Sequence, residues 1–291
     1  MRIHTAALYV LPLLAIGNCL PLIAAEPPTE IPFKLYEGFA IVVRGAIGHQ
    51  ESLNFLIDTG AVPSVIHQHV ARKLNLKGPR EDISVVNQSR SVERVELPSL
   101  RLGPVELPPL SVVVVDLSPI ETRLGLRLDA VLGLDAFGQQ DLTIDYRERK
   151  IRLGASSFVG QAVPFEVRAE AGAPYVVVPV DIDSHPLRLL LDTGADGLTL
   201  FAARLEGHKP TGKNIGVKND VNAGGAFAVQ RVEISNLRLG AMEWRKRQAT
   251  MVEASAAAQR DFDGMLGPGS LGVTRLSFDF RSNILYLEVN R

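Results

Sequence analysis

The chain has 291 residues, 46% of them apolar and 22% charged, with 31 basic side chains against 32 acidic ones. That is room for one large domain or two smaller ones with a proper core, and the mixture is that of a soluble globular protein. A formal net charge of −1 leaves no electrostatic case for a nucleic-acid partner.

In chain order, residues 1–25 stand apart. Arg2 precedes an apolar run from Ala6 to about Gly17, and Leu22-Ile23-Ala24-Ala25 leads into Glu26-Pro27-Pro28. A positive start, a short apolar region and a small-residue exit predict a secretory signal peptide cut after Ala25, and hence an exported, bacterial periplasmic protein. Two prolines and Asn18 interrupt the run, which argues against a permanent anchor, so membrane contact is expected only if the segment stays uncleaved. Asparagine ahead of Cys19 also makes a poor lipoprotein signal. Cys19 is the one cysteine, so the mature chain would have no disulfide, thiolate metal site or cysteine nucleophile.

The rest of the chain reads as two halves, 26–154 and 165–291, joined by a linker at 155–164 that is rich in small residues. In the first half an apolar, β-branched stretch from Phe33 to Ile47 turns at Gly48-His49, and Leu53 to Ile57 then carries the chain into Asp58. A short helix is expected around Gln68 to Leu74, and a β-hairpin from Ile83 to Leu97 with its polar tip at Asn87-Gln88-Ser89-Arg90. Ala130-Val131-Leu132-Gly133 follows, and Ile144-Asp145-Tyr146 and Lys150 to Leu153 close the half as two strands around a charged turn.

The second half repeats this order. Asp58-Thr59-Gly60-Ala61 returns as Asp192-Thr193-Gly194-Ala195, Arg94-Val95-Glu96 as Arg231-Val232-Glu233, and Val131-Leu132-Gly133 as Met265-Leu266-Gly267. The offsets agree: 192 − 58 = 134, 231 − 94 = 137 and 267 − 133 = 134. One spacing across several landmarks marks a duplicated unit, and two copies suggest a pseudo-twofold pair.

The chemistry lies where each apolar strand ends. A strand interior rejects aspartate, and a carboxylate leaving one must be hydrogen-bonded or share its charge with another group. Two such aspartates are expected to meet. A pair of carboxylates in contact cannot both ionise and shares one proton, so one acts as base on a water while the other hydrogen-bonds the carbonyl under attack. This chemistry needs no metal and no cofactor. Thr59 and Thr193 are placed to hydrogen-bond across the axis, and Gly60 and Gly194 let the backbone turn beneath the carboxylates.

Both halves resemble the retropepsin-like aspartic proteases. The residues that carry the likeness are Leu56-Ile57-Asp58-Thr59-Gly60-Ala61 and Leu190-Leu191-Asp192-Thr193-Gly194-Ala195, each followed by Asp-x-x-Leu-Gly at Asp129 to Gly133 and Asp263 to Gly267. The resemblance covers nearly the whole mature chain. It implies an all-β fold of two retropepsin-like (acid protease) β-barrel halves with few short helices, forming a pseudo-twofold dimer within a single chain that is expected to be monomeric. It also implies an aspartic endopeptidase acting on peptide or protein substrates through Asp58 and Asp192. A glycine-rich flap is matched by Gly224 and Gly225, whereas the aligned Asn87 to Arg90 has no glycine. Val62 stands where the second half has Asp196. The rival reading is a catalytically silent peptide-binding module with the same fold.

Other residues receive plainer readings. Asp129 and Asp263 are expected to form turns, Asp145 and Asp279 to sit on the solvent side of a hairpin, and His67 and His69 to be a surface pair without a third metal ligand. Trp244 with Arg245-Lys246-Arg247 is a local basic patch expected at a solvated edge, with contact to an anionic partner as the minor alternative, and Ser156-Ser157 lacks a nucleophile-elbow pattern.

Overall fold

A computed structural model describes residues 29–85, 88–138, 140–156, 158, 160–205, 213–222, 225–253 and 261–290. The segment on which the export expectation rests, the tip residue Asn87 and the flap candidate Gly224 lie outside the described residues.

The architecture follows from where apolar runs can be covered. In the first half, strand Ala40–Ile47 pairs antiparallel with Gln50–Ile57, and the apolar end of the latter runs parallel to Ala130–Leu132, with Phe55 opposite Ala130 and Ile57 opposite Leu132. Strands covered on both faces have no polar side to show, which is why Phe55-Leu56-Ile57 is unbroken. The second half repeats the arrangement. Strand Ala173–Ile182 pairs with His185–Leu191, and Leu189 and Leu191 lie opposite Gly264 and Leu266 of a parallel neighbour. Among the described residues the resulting sheets have ten strands in the first half and eight in the second, which gives the all-β architecture expected from sequence.

Among the described residues two short α-helices, both in the first half, complete the frame. α1 (Gln68–Lys73) follows strand Val65–His67, and α2 (Ser118–Leu124) follows Ser111–Val115, with Pro119 in its first turn and Gly125 in the left-handed conformation at its end.

A third layer joins the halves. Six strands lie side by side in the order Thr29–Pro32, Lys150–Leu153, Leu142–Asp145, Val273–Asp279, Ile284–Val289 and Gln161–Pro164. At its centre Leu142 is opposite Phe278 and Asp145 opposite Arg275, so strands of the two halves pair directly. Thr143 and Ser277, 134 residues apart, share a hydrogen bond of 2.7 Å between their hydroxyls. The stretch between the halves thus ends in a strand of this shared sheet. One hydrophobic core runs through both halves, and smaller apolar clusters around Phe39, Leu56 and Leu124 and around Tyr175, Phe201 and Val252 lie to either side of the cleft.

This layer overturns one expectation. Asp145 is 0% exposed, not on the solvent side. The sheet covers its hairpin, and its carboxylate accepts hydrogen bonds from the N–H of Arg147 and Glu148 and from Arg275 Nε at 2.8 Å. Trp244 is likewise no edge residue: it is 9% exposed, and its indole N–H donates to Leu271 O at 3.1 Å. Alternation along strand Met242–Val252 turns Trp244 inward while Arg245 stays exposed.

Candidate active site

The two repeated loops meet. Asp58 N–H donates to Leu132 O at 2.9 Å and Asp192 N–H to Leu266 O at 3.0 Å, so each aspartate leaves its strand anchored to the Leu-Gly segment behind it. Gly133 and Gly267 in those segments let the backbones approach: a Cβ on Gly267 would lie 2.5 Å from Ala195 O, and Gly133 is as closely pressed by Ala61 O.

The threonines tie the loops across the axis. Thr59 Oγ1 donates to Leu191 O at 2.6 Å and accepts from Thr193 N–H at 3.1 Å. Thr193 Oγ1 donates to Ile57 O at 3.1 Å and accepts from Thr59 N–H at 3.0 Å. Every one of these bonds is buried, and every one joins the two halves.

This brace brings the carboxyls of Asp58 and Asp192 into hydrogen-bond contact. Gly60 N–H donates to Asp58 Oδ1 at 2.8 Å and Gly194 N–H to Asp192 Oδ1 at 2.9 Å, while Gly194 N–H also reaches Asp58 Oδ1 at 3.3 Å. A Cβ on Gly60 would fall 2.6 Å from Asp192 Cγ, and one on Gly194 would crowd Asp58 Cγ more tightly still. Only glycine permits this approach.

The pair is electrostatically unequal. Burial raises both carboxyls above the ordinary range. For Asp192 the neighbouring Asp58 charge adds to burial and holds the group well above its ordinary value. For Asp58 the bond from Asp192 and the N–H groups of Gly60, Gly194 and Ala61 work against burial. The two carboxyls therefore titrate as one unit, holding a single proton between them.

A cavity of about 200 Å³ opens beside the dyad, lined by Asp192, Gly60 and Gly194 and by apolar side chains of both halves, among them Phe39, Leu56 and Met265. Asp220, Val221 and Phe227 of the hairpin formed by strands Asn214–Asn222 and Gly225–Leu239 also line it. Gly225, at its turn, has φ +106°, a conformation suited to glycine.

A family profile described as Aspartyl protease matches residues 43–136 and 178–273, once in each half. The chain belongs to the aspartyl protease family. No curated protein was found to match it. Among solved structures, the aspartic proteinase from Irpex lacteus is similar at a TM-score of 0.55 and 11% identity, with 91% of this chain and 98% of that chain covered, a likeness of fold.

Contacts between distant segments complete the site. Asp196 pairs with Arg123 of α2 at 2.6 Å, an ion pair that crosses from one half to the other at the rim of the cavity. Arg123 also lies over the Phe39 ring, 5.8 Å from its centroid. Ser64 N–H donates to Asp135 Oδ2 at 2.9 Å, its hydroxyl bonds Asp135 Oδ1, and its Oγ accepts from Gly133 N–H at 2.8 Å, which locks the first Leu-Gly segment.

The carboxylates of Asp129 and Asp263, expected to form turns, bind segments 75 residues away, accepting the N–H of Asn54 at 2.8 Å and of Arg188 at 2.9 Å. His67 is no surface residue, being 6% exposed. Its Nε2 lies 3.5 Å from Asp116 and 3.7 Å from Glu121, and His69 Nε2 contacts Asp129 at 2.7 Å. Glu121 of α2 reaches the His67 ring, a tertiary contact invisible in the local pattern. Among the described residues, no group of three or more His, Cys, Asp or Glu side chains could hold a metal ion.

Proposed function

We propose that the protein is an aspartic endopeptidase in which Asp58 and Asp192 activate water against a peptide bond. One observation carries this reading: two buried carboxyls from the two halves are in contact, and burial raises both. Asp58 takes a proton from the water as its oxygen attacks the carbonyl carbon. Asp192 passes its proton to the carbonyl oxygen, giving a tetrahedral diol. Collapse of the diol breaks the C–N bond as the nitrogen takes the proton from Asp58, and a diol hydroxyl returns its proton to Asp192 as the C=O re-forms, so the dyad is left with one proton for the next cycle.

The cleft suits an extended peptide, with apolar side chains seated against Phe39, Leu56 and Met265. Both aspartates come from one chain, so a monomer suffices. An active sample sedimenting at twice the chain mass would contradict that part. Residues 1–25 point to export, and the expressed protein should then begin at Glu26 on N-terminal sequencing.

The test is cleavage of an unstructured protein mixture by the chain lacking residues 1–25, across acid to neutral pH, beside Asp58→Asn and Asp192→Asn. Loss of cleavage by about 10²–10⁴-fold or more in either variant is expected from removing a general acid or base. If folded wild type cuts nothing yet binds peptides, the silent binding module takes the place of the enzyme.

A further inference from the structure

The duplication lets each position be compared with its counterpart. In the first half, Arg94 grips Glu81 on the neighbouring strand, with Nε–Oε2 at 2.7 Å and Nη2–Oε1 at 2.5 Å. The arginine returns as Arg231, but the glutamate returns as Lys218, since 218 − 81 = 231 − 94 = 137. The strand registers agree, Glu81 lying opposite Val92 and Lys218 opposite Val229. A third position follows the same offset: buried Leu110 becomes Arg247, 247 − 110 = 137. A neutral trio in one half is a triply cationic trio in the other.

These three cations line one cavity of about 450 Å³, together with Asp196 and Ser270. Arg247 Nε is buried without a hydrogen-bond partner among the described residues, and Arg231 Nη2 bonds the neutral amide oxygen of Gln248. Lys218 Nζ lies 4.0 Å from Asp196 and 3.8 Å from Asp220, while Asp196 is already held by Arg123 at 2.6 Å. Counting Arg123, four cations face two carboxylates. Asp196 lines this cavity and also the one that holds Asp192, so the two are neighbours along the cleft.

We propose that this cavity is a carboxylate subsite, so that a peptide bound across the dyad places an acidic side chain or its free C-terminal carboxylate against Lys218, Arg231 and Arg247. This rests on the proteolytic reading above and names its substrate class. A guanidinium with a buried N–H left unmade is suited to an incoming carboxylate, because charge-assisted bonds are strongest where water is excluded. The first half cannot do the same, since Glu81 already occupies its arginine.

The test uses three fluorogenic peptides with one cleavable core: one carrying glutamate, scanned along its length, with an amidated terminus; one neutral with a free terminus; and one neutral and amidated. Wild type should favour one of the acidic peptides over the neutral amide by at least tenfold in kcat/KM, and which one it is tells side chain from terminus. Lys218→Glu and Arg247→Leu restore residues that the first half holds in the same fold. Each should reduce that ratio at least tenfold. No acidic preference in wild type, or a ratio kept in both variants, overturns the subsite. If no peptide is cut, the proteolytic reading fails on its own, and fluorescence anisotropy with the same peptides still decides the subsite. At least tenfold tighter binding of an acidic peptide, lost in Lys218→Glu, supports it, and equal binding overturns it.

Discussion

Thr59 and Thr193 each accept the other's backbone N–H on their own hydroxyl, at 3.0 and 3.1 Å, so neither loop has its structure without the other. The reciprocity makes the dyad a product of the interface between halves. Thr59→Val keeps the shape but strands Thr193 N–H and Leu191 O in a buried site. Each unsatisfied group costs about 1–3 kcal/mol, so chemical denaturation should show a loss of several kcal/mol. Thr59→Ser, which keeps the hydroxyl, should lose much less. Equal losses in the two variants would show that the bonds contribute little.

Gly60→Ala tests how tightly the loops meet. Its Cβ would lie 2.6 Å from Asp192 Cγ, too close for any real contact, so the carboxyls must part. Cleavage should fall at least about 10²-fold, as expected when a catalytic pair is misplaced by an ångström. Retained activity would mean that the loops have slack.

Asp145 links the shared sheet to acid sensitivity. Burial alone would raise its carboxyl, but the Glu148 N–H and the Arg275 and Arg152 guanidiniums hold it below its ordinary range. A depressed folded pKa stabilises above the unfolded value near 3.8 and is lost as pH falls through the folded one. Asp145→Asn should therefore flatten the loss of stability below about pH 4, while costing about 3–5 kcal/mol at neutral pH by leaving arginines without their buried partner. Thermal unfolding across pH 2–7 reads both effects.

The dyad has the opposite sign. Its raised carboxyls stabilise the fold most below their unfolded value of 3.8, and that stability drains away as pH rises through the folded values. Asp192→Asn should thus raise the melting temperature relative to wild type at neutral pH and change it little at pH 3. A melting difference independent of pH would contradict the raised carboxyl.

Much of this was legible in the sequence because the decisive features are local and repeated. Asp58 and Asp192 announce themselves by ending apolar strands with one motif at one offset, and Gly60 and Gly194 come with them. What stayed hidden depends on contacts between distant segments. Burial of Asp145 follows from the sheet shared by both halves, and the contact of His67 with Glu121 from the placement of α2. The pairing of Arg123 with Asp196 joins residues 73 apart, and nothing beside either announces the other. The exchange of Glu81 for Lys218 is visible in the sequence, but its meaning needs the strand register.

Asp58 and Asp192 hold one proton between them. The direct measurement is the titration of their carboxyl carbons by NMR in protein labelled at aspartate, with Asp58→Asn and Asp192→Asn to assign the signals. One carboxyl should ionise at acid pH and the other stay protonated well above the ordinary aspartate range, with the raised step altered when its partner becomes asparagine. Two independent titrations near 4 would contradict the shared proton.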